Sequence, residues 1–148
     1  MKKKISIAAV CVVIIAVIAV VLVQHNTPKK TLQDVFPSLD DTVSVELNSQ
    51  NVPNYPVVTC TITDPQQVQE LITRIKNMPI CSEEKVETSS GWTYWMQLYD
   101  AEENELLSGV FNSDYLSVTD GMDSMVYTTD KGYFQFLIDL ADSGEPME

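Results

Sequence analysis

Apolar residues recur with two different periods after residue 40 of the chain. Residues 43–47 (VSVEL) and 57–64 (VVTCTITD) alternate apolar and polar positions and are rich in β-branched side chains, which predicts half-buried strands. The period then becomes helical, with Asp64 as a suitable N-cap and Pro65 at the first helical position. The predicted helix carries an apolar stripe at i, i+3, i+4 and i+7 and ends before Pro79; the stripe is Val68, Leu71, Ile72 and Ile75.

The aromatic stretch WTYWMQLYDAEENELLSGVF, residues 92–111, predicts a β-hairpin. A turn at Glu102 and Glu103 places Leu98 opposite Leu107 and gives one apolar face, as expected for a sheet covered by helices on one side. The less apolar face then carries a stripe of large side chains, formed by Trp95, Tyr99, Leu106 and Val110.

Two further strands are predicted within residues 115–132, with Asp120 and Gly121 as the turn between them. A second helix is predicted from about Asp130 to Ala141, because its aromatic and aliphatic residues form a broad face.

The stretch TLQDVFP predicts a single helical turn with Thr31 as its cap and with Val35 and Phe36 as apolar anchors. Together these elements predict an α+β fold: one N-terminal transmembrane helix, followed by a mostly antiparallel sheet with two helices packed on one face.

The transmembrane prediction rests on residues 5–23, which carry no charge and would reach roughly 28 Å as a helix, close to the thickness of a bilayer's hydrocarbon core. A cleaved signal peptide would need a shorter apolar region and a small-x-small site, which is absent after Ala19. A lipoprotein would use Cys11, but this residue comes early and follows the bulky Val10. An uncleaved anchor is therefore favoured.

Three lysines precede the apolar segment, whereas Lys29 and Lys30 follow it, so the charge bias favours a cytoplasmic amino terminus and an extracytoplasmic remainder. The lipid bilayer is thus one expected partner. The predicted organisation is residues 1–4 cytoplasmic, 5–23 signal anchor, 24–40 juxtamembrane linker with a short helical turn, 41–142 extracytoplasmic domain and 143–148 disordered tail.

The part of the chain after residue 30 is strongly acidic. It holds all 21 Asp and Glu residues against four basic ones, Arg74, Lys76, Lys85 and Lys131, a net charge of −17. Such a charge repels phosphate backbones, so we expect no nucleic-acid partner. Solubility outside the cell is the simplest explanation of the acidity, with attraction of cationic partners or divalent ions as alternatives.

The stripe on the less apolar face of the hairpin has two interpretations. It can be a docking surface for a protein or an extended peptide. Alternatively, the segment that includes Phe36 lies over it and closes the core, which is the interpretation that the sequence favours.

No metal site is expected at the acidic centre of the hairpin. A calcium loop that starts at Asp100 would place Glu105 where the sharp turn requires glycine, and Phe111 where a bidentate glutamate belongs. Asp114, Asp120, Asp123 and Asp130 lie where turns or helix caps use aspartate without an ion.

Catalytic residues and cofactors are not expected either. The one histidine, His25, lies beside the predicted span, so the domain lacks Ser-His-Asp and Cys-His catalysis. No glycine-rich phosphate loop is present, and no carboxylate pair stands out from the many acidic residues. Cys60 and Cys81 leave three alternatives open: a disulfide, two buried thiols, or a redox pair.

The strand ending in TITD, the LITRI helix, the WTYWMQLYD strand and the YFQFLIDL helix, behind a basic and then apolar amino terminus, resemble small membrane-anchored extracytoplasmic α+β domain families of unknown function from Gram-positive bacteria. The resemblance implies an α+β domain on a membrane stalk and no catalytic residue. The hairpin turn of this chain is AEEN, where such families often have a D-x-D-G turn.

The leading functional hypothesis is a non-enzymatic binding or accessory module of the cell envelope, anchored in the membrane, with an envelope protein as its partner. The alternatives are a carboxylate-based hydrolase of envelope polymers and a calcium-responsive module.

Overall fold

The computed structural model describes residues 29–50, 57–87, 93–120 and 123–144. The elements in chain order are α1 (Leu32–Val35), a 3-10 helix (Pro37–Asp41), β1 (Ser44–Ser49), β2 (Val58–Ile62), α2 (Pro65–Lys76), β3 (Ser82–Glu87), β4 (Tyr94–Tyr99), β5 (Glu105–Phe111), β6 (Tyr115–Asp120), β7 (Asp123–Thr128) and α3 (Gln135–Ser143).

The seven strands form one sheet in the order β2-β1-β4-β5-β6-β7-β3, and every neighbouring pair is antiparallel. The predicted α+β class with a mostly antiparallel sheet is therefore confirmed. Strands β4 to β7 follow one another as hairpins, whereas α2 carries the chain from one edge of the sheet to the other.

The helices pack on one face of the sheet, called the covered face. Its strand residues include Leu47, Met96 and Leu98, all fully buried. The predicted α2 stripe lies in the same hydrophobic cluster: Val68, Leu71, Ile72 and Ile75. Helix α3 is fixed to this face by the Tyr94 hydroxyl, which donates to the Asp142 carboxylate at 3.0 Å.

Helix α2 begins where the sequence predicts, because Asp64 caps it. The Asp64 carboxylate accepts hydrogen bonds from the backbone N–H groups of Gln66 and Gln67, both at 3.0 Å. These two donors have no partner within the helix itself, so the cap satisfies them.

The core begins earlier in the chain than residue 41. Helix α1 forms as predicted, with a capping box between Thr31 and Asp34. Its deepest anchor, however, is Leu32, and Leu39 of the 3-10 helix is also fully buried. The Lys30 carbonyl further accepts from the Ile80 N–H at 2.8 Å. The segment predicted as a linker therefore belongs to the folded domain from about residue 30 onward.

Helix α3 begins at residue 135, five residues later than predicted. Gly132 has φ of 76°, a left-handed conformation that an α-helix does not accommodate. The Gly132 N–H donates to the Asp114 carboxylate at 2.8 Å, so this bond with the β5–β6 turn holds residues 131–134 in a separate turn.

Strand β3 has no counterpart in the predicted elements. Its sequence, SEEKVE, lacks the apolar alternation that identifies strands, and its register with β7 is decided by tertiary pairing. A charged strand suits the edge of a sheet, where charge discourages pairing with other chains.

Several predictions concern residues outside the described ones: the cytoplasmic residues 1–4, the span at 5–23 with Cys11 and His25, the Gly121 turn position and residues 145–148 of the predicted tail. Ser143, which was predicted to open that tail, is instead the last residue of α3. Within the described ranges, no helix has both the length and the apolarity that a membrane crossing requires.

Candidate functional site

The β4–β5 hairpin has the predicted register over most of its length. Leu98 lies opposite Leu107, and Trp95 lies opposite Val110. The loop, however, is longer than the predicted two-residue turn. The Asp100 N–H donates to the Asn104 carbonyl at 3.0 Å, which leaves residues 101–103 in the loop. Glu103 takes the left-handed position with φ of 63°, which is typical of a three-residue hairpin loop.

A β-bulge between Leu98 and Tyr99 compensates for this extra loop residue. Tyr99 consequently lies opposite Glu105, and Leu106 is the additional residue of the bulge. Leu106 packs against the hydrophobic core cluster. The placement of Leu106 beside Tyr99, predicted from an uninterrupted ladder, is therefore wrong.

The face opposite the covered face carries Trp95, Tyr99 and Val110, and is called the open face. All three side chains are half-buried. Phe36, expected to close over this stripe, instead packs against Tyr127 with ring centroids 5.8 Å apart. Tyr127 belongs to the covered face, since its register neighbour Leu116 pairs with the buried Phe111. For Phe36 that interpretation is therefore wrong; residues 24–28 of the same segment lie outside the described ones.

Two cavities lie on the open face, one beside each aromatic ring. The first, of about 380 Å³, is lined by Trp95, Val110, Ser108, Glu105, Gly109 and Thr119. The second, of about 660 Å³, is lined by Tyr99, Glu46, Val43, Asp100, Ser44, Thr63, Ala101 and Glu103. The aromatic side chains are therefore the apolar walls of two concave sites with carboxylates at their borders.

Glu46 and Glu105 set the electrostatics beside Tyr99. Burial raises the pKa of the Tyr99 hydroxyl above its ordinary value, and the charges of Glu46 and Glu105 raise it further, because both disfavour a phenolate. Glu105 also accepts a hydrogen bond from the Gln97 side-chain amide at 3.1 Å, which fixes its position on the open face.

The carboxylate of Asp100 is occupied by protein donors. It accepts from the Asn104 side-chain amide at 2.9 Å, from the Asn104 N–H at 2.9 Å and from the Glu102 N–H at 2.8 Å. The Asn104 bonds, with that of Glu102, hold the pKa of Asp100 below its ordinary value. Asp100 thus orders the hairpin loop. Across the described ranges, no three His, Cys, Asp or Glu side chains gather into a potential metal cluster.

Three of the four aspartates that the sequence places at turns or helix caps make separate contacts with different partners. Asp114 accepts from Gly132, Asp123 pairs with Lys85 at 2.5 Å, and Asp130 pairs with Lys29 at 3.3 Å.

Both described cysteines are free thiols. Cys60 is buried in β2, where burial raises the pKa of its thiol. Cys81 is exposed and precedes β3 at the opposite edge of the sheet. A disulfide needs Cα atoms within about 7 Å, which this strand order does not provide. The disulfide alternative therefore does not apply to this fold, and the alternative of two buried thiols fits only Cys60.

Sequence reasoning missed Glu46 and Val43 as parts of the site. Both come from the region of β1, which lies beside β4 although 50 residues separate Glu46 from Met96 in the sequence. Only the pairing of Ser44 with Tyr99 and of Glu46 with Gln97 brings them to the aromatic stripe.

Comparisons of the chain with protein-family models, with curated proteins and with solved structures gave no match.

Proposed function

We propose that this chain is a non-enzymatic binding module of the cell envelope, anchored by residues 5–23 with its domain outside the cytoplasmic membrane, and that its open face docks another envelope protein. The observation that carries the proposal is the placement of Trp95 and Tyr99 in two concave sites on the sheet face opposite the helices. Aromatic side chains are enriched in protein interfaces, because each contributes a large contact area.

The attachment of the domain favours a partner in or near the membrane. The backbone of Lys30 pairs with Ile80, and the Lys30 ammonium binds the Glu83 carboxylate at 2.6 Å. Residues 24–29 between the proposed span and this point can extend at most about 20 Å. The open face would therefore remain close to the bilayer, within reach of other membrane-anchored proteins.

Site-specific photocrosslinking in the native cells tests the proposal. A photoreactive amino acid at Val110 samples the open face, and the same residue at the exposed Thr73 of α2 samples the opposite side of the domain. We expect a crosslinked protein of defined mass from position 110 and not from position 73, and we expect its yield to fall several-fold when Trp95→Ala is added. Equal crosslinking from both positions, or none from position 110, contradicts the proposal.

A further inference from the structure

We infer that the partner segment recognised by the open face is extended and cationic, with lysine or arginine side chains that occupy the cavities beside Trp95 and Tyr99. This inference rests on the proposed function, because it specifies the chemistry of the partner at that same surface.

The charge distribution on the open face supports a cationic partner. Of the lysines and arginines in the described ranges, Lys85 alone lies on a strand, and its register partner Met125 places it on the covered face. Four of these cations already form ion pairs with carboxylates. The pairs are Lys29 with Asp130, Lys30 with Glu83, Lys76 with Asp40, and Lys85 with Asp123. Among the described residues, the carboxylates of Glu46 and Glu105 therefore border the open face without a basic side chain of a strand beside them.

The chemistry of both cavities suits a cationic side chain. Each combines an aromatic ring with at least one carboxylate at its border, Trp95 with Glu105 and Tyr99 with Glu46. A lysine or arginine would place its methylene groups against the ring and its charge near the carboxylate, gaining cation–π and ionic contacts together.

The spacing of the two rings suits an extended segment. Trp95 and Tyr99 are four residues apart on one strand, about 13 Å at the rise of an extended chain. A segment that runs along β4 in extended form therefore presents side chains i and i+4 to the two cavities at the same interval.

A second copy of this chain fits the surface poorly. Its part after residue 30 also holds 21 acidic and four basic residues, so two open faces would bring like charges together. A homodimer through this face is accordingly an outcome that would contradict the inference.

The test uses the full chain in nanodiscs of zwitterionic lipid and two synthetic decapeptides. One peptide carries lysines at positions i and i+4 in an uncharged, β-favouring sequence, and the other has glutamates at those positions. The chain contains two tryptophans, so a Trp92→Phe background makes Trp95 the reporter of binding by fluorescence. Calorimetry with unsubstituted protein measures the same affinities independently of that background.

We expect the lysine peptide to change Trp95 emission saturably and the glutamate peptide to have no effect. The double variant Glu46→Gln/Glu105→Gln should bind the lysine peptide roughly five- to tenfold more weakly, because it removes two carboxylates at the binding surface and keeps their shape. The matched control Glu70→Gln/Asp139→Asn removes two carboxylates from helices α2 and α3 and should bind within about twofold of the unsubstituted protein.

Equal binding of the two peptides, equal weakening by both double variants, or self-association through the open face would overturn the inference. If the crosslink from position 110 persists unchanged in Glu46→Gln/Glu105→Gln, the docking function stands and the cationic partner is wrong. Absence of any crosslink from position 110 in the otherwise unsubstituted chain contradicts the docking function itself.

Discussion

The two faces of strand β4 differ in how far their side chains are buried, although the same six residues form both faces. Met96 and Leu98 on the covered face are completely buried under helices, whereas Trp95 and Tyr99 on the open face are only half-buried. Side chains of a strand alternate between faces, so one short sequence serves the core and the surface at once. Large apolar residues of this strand therefore fall into two groups: those under the helices are buried in the core, whereas those on the open face keep part of their surface exposed.

The largest difference that we expect between the two faces is in how much a truncated side chain lowers the free energy of unfolding. Leu98→Ala removes a fully buried side chain and should lower the free energy of unfolding by about 2–5 kcal/mol. Val110→Ala on the open face should lower it by only about 1 kcal/mol or less, because the side chain is half-buried and contributes mainly a cross-strand contact. Guanidinium unfolding of the full chain in detergent measures both, and equal losses would show that the open face is part of the core.

A smaller effect comes from crowding the covered face. A Cβ at Gly109 would lie 2.8 Å from Leu116 Cδ1 and 2.9 Å from the Ser117 carbonyl oxygen. Gly109→Ala should therefore destabilise the protein by about 1–3 kcal/mol. The adjacent Ser108→Ala, which points to the open face, should change stability by no more than about 0.5 kcal/mol in the same unfolding experiment. A neutral Gly109→Ala would mean that β5 and β6 lie farther apart than these two distances require.

A change in the opposite direction is expected at the hairpin loop. Glu103 has φ of 63°, which a glycine adopts without steric strain, so Glu103→Gly should stabilise the protein by up to about 1 kcal/mol. Glu102→Gly is the matched control, since Glu102 does not have positive φ and the change should be neutral or destabilising. Thermal unfolding of the two variants side by side checks this, and a stabilised Glu102→Gly would remove the conformational explanation.

The last prediction concerns acid pH and the turn that precedes α3. The Gly132 N–H, with the Ser113 hydroxyl, holds the pKa of Asp114 below its ordinary value of 3.8. A depressed pKa means that the stabilisation is present above about pH 4 and is lost as pH falls through the lower, folded-state pKa.

Asp114→Asn should consequently be less stable than the unsubstituted protein at pH 7, with a difference that shrinks on acidification below pH 4. Asp41→Asn, at an exposed aspartate of the 3-10 helix, is the control. Unfolding midpoints measured from pH 7 to pH 3 provide the test, and a difference that stays constant with pH would exclude the ionised carboxylate as the stabilising group.

Local sequence signals were sufficient for the elements that depend on neighbours in the chain. Helix α2 was predictable because its N-cap and its apolar stripe all lie within one short segment. The β4–β5 register was predictable between Tyr94 and Leu98, because a short connection and two alternating faces permit few pairings. The late start of α3 was not predictable from local signals. The left-handed conformation of Gly132 accompanies its hydrogen bond to Asp114, which lies in a turn 18 residues earlier in the chain.

The fold class, the acidity of the domain, the apolar leading segment and the alternating residues of β4 can all be read from the sequence. Periodicity and charge are local properties, and they are fixed once the residues are known. Three features depend instead on tertiary contacts: β1 lies beside β4, β3 forms the far edge of the sheet, and Leu106 is the extra residue of a bulge and packs against the core. Those outcomes depend on which distant strands satisfy one another's hydrogen bonds and on where the helices pack, and one strand's pattern does not contain this information.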